Sequence, residues 1–269
     1  MKKLLCLVLV LLMACPLAAC AAETAVEEPE KETDTTSHQV EPSGEETAVV
    51  EPEITAEAVV FTDPAFEAKV RIIMNRPDGA ITVDEAAAVT ELNLANENFG
   101  DMNDNPDRNI KSIADIRYFT GLEILDISFN DINGDLSPLA GLTSLKTLVF
   151  SGTSAHDLSP LAGLTNMECI VFCWNYSPDR GNNGVGNLEA LAAMINLEAV
   201  DAKNAGITDV SALAGLPKLR EVQLNDNQIT DVSPLAEIEN LRLLLLEGNP
   251  VEDFSPLDPI LDQLEGKDF

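Results

Sequence analysis

The stretch 219-LREVQLNDNQITDVSPLAEIEN-240 runs straight into 241-LRLLLLEGNPVEDFSPLDPILD-262, and the two overlay residue for residue. Leu219 meets Leu241, Val222 meets Leu244, Leu224 meets Leu246, Asn227 meets Asn249, and Ser233-Pro234 meets Ser255-Pro256. Working outward toward the N-terminus, the same pattern recurs in INLEAVDAKNAGI, TNMECIVFCWNYS, TSLKTLVFSGTSA, TGLEILDISFNDI and, in degenerate form, AAAVTELNLANENF. The leading apolar positions are Val89, Leu122, Leu145, Met167, Leu197, Leu219 and Leu241, spaced by 33, 23, 22, 30, 22 and 22 residues. A phased repeat of this length decides the architecture, because one unit is too small to bury its own apolar face.

The physics of a unit is legible. Alternation at Leu125/Ile127, Leu148/Phe150 and Val222/Leu224 predicts a short strand with one face inward. Asn130, Asn175, Asn227 and Asn249 hold the turn position, where a side-chain amide satisfies backbone groups inside a bend. Ser137-Pro138, Ser159-Pro160, Ser233-Pro234 and Ser255-Pro256, with Ser211-Ala212 as a fifth copy, predict a single helical or 3-10 turn opened by a Ser N-cap. The modal spacing of 22 lies in the range of leucine-rich repeats. The expected fold is an α/β repeat solenoid: a leucine-rich-repeat horseshoe with a concave parallel sheet, short helical or 3-10 turns on the convex side, and a helical N-terminal cap.

Solenoids need lids. Asp63-Pro64 predicts a helix start with Phe66, Val70 and Ile73 on one face, and Thr82-Val83-Asp84-Glu85 is a capping box for a second helix. Leu257, Ile260, Leu261 and Leu264 follow helical spacing at the rear. Boundaries on this reading are a cap over 61–88, repeats over 89–256 and a C-terminal cap over 257–269. The stretch FTDPAFEAKVRIIMNRPDGAITVDE followed by repeats such as ITDVSPLAE resembles bacterial surface leucine-rich-repeat proteins of the internalin type, over residues 61–269. That resemblance implies protein binding on the concave face. Neither an immunoglobulin-like segment nor a Leu-Pro-x-Thr-Gly sorting signal follows the repeats, so host-cell invasion is not implied.

The first residues, MKKLLCLVLVLLMACPLAAC, join a basic start to an apolar run interrupted by Pro16, as in a secretory signal. Leu17-Ala18-Ala19-Cys20 resembles a lipoprotein lipobox, which implies removal of residues 1–19 and lipidation of Cys20. Two or more acyl chains anchor stably where one is marginal. Residues 20–60 read as an acidic tether that cannot bury enough apolar surface to fold. The expected location is the bacterial cell envelope, outside the cytoplasm, with the membrane touched through lipid alone.

With 46 acids against 16 bases the chain carries a formal charge of −30, which argues against nucleic acid as a partner because phosphate contacts need clustered Lys and Arg. No catalytic triad, paired-acid motif, cofactor motif or metal signature emerges. Cys169 and Cys173, four apart on one strand, would be roughly 13 Å apart, too far to bridge one another, and read as free small hydrophobes. The insertion FGDMNDNPDRN places Asp101, Asn103, Asn105 and Asp107 at alternate positions, but Pro106 and Ser112 stand where a calcium loop needs Gly and Glu. A second insertion, Tyr176–Asn187, adjoins Trp174.

Strand residues pointing away from the core are expected to line the concave face, with Asn93, Asp126, Val149, Val171, Asp201, Gln223 and Leu245 as its centre column. The expected protein-binding set is Asp126, Phe129, Val149, Val171, Trp174, Asp201, Lys203 and Gln223: an exposed apolar centre with aromatic anchors and a charged rim. The plainer reading makes Phe129 and Trp174 strand-end packing. The functional expectation is a monomeric, non-catalytic binding protein without cofactor; the alternative is a structural or calcium-stabilised envelope protein with no discrete ligand.

Overall fold

The computed structural model of the chain describes residues 57–96, 109–178 and 181–269. Ten short strands are present among them: β1 (Glu91–Asn93), β2 (Ile124–Asp126), β3 (Thr147–Val149), β4 (Cys169–Val171), β5 (Gly186–Asn187), β6 (Ala199–Asp201), β7 (Ile207–Asp209), β8 (Glu221–Gln223), β9 (Leu243–Leu245) and β10 (Gly266–Lys267). Eight form one parallel sheet in the order β1-β2-β3-β4-β6-β8-β9-β10, while β5 and β7 pair separately. Between strands the chain returns through 3-10 turns such as Ser137–Leu139, Ser159–Leu161 and Ser233–Glu237. The fold is a leucine-rich-repeat solenoid.

The central residue of each repeat strand points inward. Leu92, Leu125, Leu148, Ile170, Val200, Val222 and Leu244 are buried in one continuous core with Leu139, Leu161, Leu191, Leu213 and Leu235 from the turns. Each such side chain contributes about 1.5–3 kcal/mol by leaving water, and it does so only because the neighbouring rung is there.

Asparagines staple one rung to the one before. The Asn175 Nδ2 donates to the carbonyls of Phe150 and Phe172, and its Oδ1 accepts from the amides of Thr153 and Ala155. Asn227 does the same for Ala202, Leu224, Ala205 and Ile207. Asn130 ties β2's rung to β1's through Leu94 and Ile110, and Asn249 ties β9's rung to β8's through Leu224 and Ile229. Thr153 and Ala205 occupy this position in the rungs of β3 and β6, so the junctions β2/β3 and β4/β6 have no such amide.

The turns start differently from the sequence expectation. In the five turns expected from Ser-Pro or Ser-Ala, serine is the first 3-10 residue, not the cap; an apolar residue precedes it, and no side-chain cap bond is made there. The acceptor is the aspartate two residues earlier: Asp135, Asp157, Asp209, Asp231 and Asp253 each take the amide of the following serine at 2.8–3.0 Å. A carboxylate reaching i+2 makes the tighter local turn that a 3-10 start requires.

At the front, α1 (Pro64–Ile73) is capped by Asp63, whose Oδ1 accepts from Ala65 and Phe66. The other oxygen of Asp63 accepts the amides of Lys111 and Ser112, joining cap to repeats through one carboxylate. Phe66 and Val70 are buried as expected, but Ile73 is 41% exposed. With 3.6 residues per turn the stripe continues to Met74, which packs on the core instead. The capping box of α2 (Val83–Ala87) is present in both halves. At the rear, a 3-10 segment Ser255–Gln263 buries Leu257 and Ile260. Beyond it β10 adds a final strand that the helical spacing did not announce. Asp268 then accepts from the amides of Leu246 and Glu247.

Candidate binding face

Pairing register places the expected columns side by side. Asn93, Asp126, Val149, Val171, Asp201, Gln223 and Leu245 are successive partners across the sheet, as are Ile124, Thr147, Cys169, Ala199, Glu221 and Leu243. All point opposite to the core residues between them.

Exposure is where the expectation fails. Val149 and Val171 are 1% and 2% exposed, and with Cys169, Cys173 and Ala199 they form a buried cluster separate from the core. Asp126, Asp201 and Gln223 are buried too. Parallel rungs lie about 4.8 Å apart, and a concave face brings side-chain ends closer still, so its centre closes on itself. Of the eight expected residues, Phe129, Trp174 and Lys203 remain partly accessible.

Burial sets the chemistry of this cluster. Desolvation raises the Asp126 and Asp201 carboxyls above their ordinary range; the Ser128 hydrogen bonds oppose it at Asp126, and Lys203, 3.9 Å away, opposes it at Asp201. The Cys173 thiol donates to Asp201 Oδ1 at 3.1 Å. Burial and that neighbouring carboxylate push the thiol far up, the reverse of what an activated nucleophile requires. Cys173 is a free thiol. Cys169 is buried in the same cluster.

The accessible edge carries an unusual backbone. The residue preceding the staple position lies in the left-handed region in six successive rungs: Phe129 (φ 58°), Gly152 (62°), Trp174 (56°), Asn204 (49°), Asp226 (57°) and Gly248 (82°). Glycine, asparagine and aspartate are the residues that tolerate this conformation; a bulky side chain there costs about 1–2 kcal/mol. Phe129 and Trp174 are the two exceptions. Their rings stack with centroids 6.0 Å apart, although their rungs are not neighbours. Gly152, in the rung between, makes room: a Cβ there would lie 2.6 Å from Phe129 Cδ1. Trp174 is 39% exposed. Sequence reasoning named both aromatics but not the glycine between them, whose signal was an unfilled place in an aromatic column.

The alternating acids Asp101–Asp107 lie outside the described residues. The second insertion forms β5, which turns toward β7, with Val185 and Gly186 donating to the carbonyls of Ala205 and Gly206. Among the described residues there is no group of three or more His, Cys, Asp or Glu arranged to hold a metal ion, and no helix is long and apolar enough to cross a membrane.

The family described as Leucine Rich repeats (2 copies) matches twice, over residues 195–237 and 217–259. No curated protein matches the chain. Among solved structures, an internalin (inlF) from Listeria monocytogenes is similar with a TM-score of 0.58 at 24% identity, over 81% of this chain and 72% of that one. An internalin C2 from the same organism is similar with a TM-score of 0.55 at 25% identity, over 77% and 92%. The chain shares the leucine-rich-repeat fold of these internalins. Its helical cap and parallel sheet are the frame on which the aromatic pair sits.

Proposed function

We propose that this internalin-like chain is a non-catalytic, monomeric binding protein, held at a bacterial cell surface through lipidated Cys20, that captures a protein partner at the accessible edge of its concave sheet. The observation that carries this reading is the Phe129–Trp174 stack, built at two positions where the backbone favours Asn or Gly. Strain retained at an accessible aromatic pair points to use, since packing alone would be served better by the residues found in the other rungs. Lys203 supplies a cation beside the pair, and Asp126, Val149, Val171, Asp201 and Gln223 form the packed floor that keeps the edge rigid.

The test is the double variant Phe129→Asn, Trp174→Asn, which copies the native Asn204. It should fold, be more stable than the parent by about 1–2 kcal/mol per site, and lose capture of a partner that the parent retains. A double variant that keeps capture removes the proposed site; one that is less stable than the parent makes the aromatic pair structural.

A further inference from the structure

The insertion in the rung of β4 opens a cleft on the flank of the solenoid, away from the concave sheet. Its strand β5 bonds forward to β7, and among the described residues no backbone hydrogen bond joins Val185–Asn187 back to Ala155–Asp157. The gap left between these two segments holds about 450 Å³, a size that suits small-ligand sites (about 300–1,000 Å³). Buried Leu158 and Val185 line it together with exposed Ala162, and Asp157, Glu189 and His156 stand exposed around it. Among the described residues neither Lys nor Arg lines it. The Ser159 amide and hydroxyl hold the Asp157 carboxyl below its ordinary value, so that wall is anionic.

We propose that this cleft binds a small organic cation, an ammonium or guanidinium group carried on a short aliphatic stem. The apolar lining takes the stem and the two carboxylates take the charged head, a division of labour common to sites that recognise amphipathic cations. The site is independent of the concave edge: no residue is shared, and loss of one leaves the other intact.

The structure supplies its own control. Asn187 fills in its rung the place that Asp157 fills in the one before, its Oδ1 accepting the Glu189 amide at 3.1 Å. Asp157→Asn therefore removes the charge while keeping the turn. Calorimetric titration of the full chain with n-butylguanidinium should give saturable binding near the millimolar level. The double variant Asp157→Asn, Glu189→Gln should weaken it by about tenfold or more. Asp253→Asn, an equivalent turn carboxylate in the last repeat turn and away from the cleft, should leave it unchanged, and n-butanol should not bind. A blocked arginine tripeptide binding more tightly than butylguanidinium would assign the cation to a polypeptide side chain, and equal affinity would assign it to a free amine. Absence of saturation, an unchanged affinity in the double variant, or an equal loss in Asp253→Asn overturns the proposal.

Discussion

At the residue scale, the repeats do two opposed things with their carboxylates. Asp201 is buried on the concave side and its carboxyl is raised, by desolvation first, with Lys203 and the Cys173 thiol pulling the other way. Asp157, Asp209, Asp231 and Asp253 are exposed on the flank, and serine hydrogen bonds lower them. A raised folded-state carboxyl binds its proton more tightly in the native chain than in the unfolded one. Its stabilising contribution is therefore complete below the ordinary carboxylate range and lost as pH rises through the raised value; the flank aspartates act with the opposite sign. Asp201→Asn should accordingly gain most relative to the parent at pH 7, and the gap in melting temperature should shrink as pH falls toward about 4. An Asn variant that melts below the parent at pH 7, by a deficit that shrinks on acidification, would mean that the Lys203 pair, and not desolvation, dominates.

At the element scale, the strands and their register were legible because an inward residue every second position and a 22-residue period leave no alternative alignment. Exposure was not legible: Val149 and Val171 read as surface because nothing in a linear sequence shows how tightly adjacent rungs crowd a concave side. The serine of Ser-Pro read as a cap because Ser is a good one; the aspartate two residues earlier wins because it closes a shorter ring. Nor did the repeat alignment show that Thr153 and Ala205, apparently mild departures at the asparagine position, remove the staples at two junctions. Amide exchange checks that. Ala155 and Ile207 donate to Asn175 and Asn227 and should be well protected, whereas Ile132, whose counterpart staple would be Thr153, should exchange faster. Equal protection of Ile132 and Ala155 would show that the amides are dispensable.

At the scale of the whole molecule, the charge of −30 is spread over tether and solenoid, and in the proposed form repulsion within the tether holds the binding edge off the membrane. Cys20→Ser should abolish incorporation of labelled palmitate and release the chain from the membrane fraction, with the solenoid's melting unchanged; continued sedimentation with membranes would place the anchor elsewhere. The two oxygens of Asp63 acquire a meaning in such a tethered molecule. One holds α1 and the other holds the rung of β1, so a pull applied at the partner and resisted at the lipid passes through this carboxylate together with the Thr62–Asp115 and Lys69–Leu94 bonds. Rungs beyond the aromatic pair bear none of that tension. Asp63 is thus the shackle of the chain, and the point from which forced unfolding should begin.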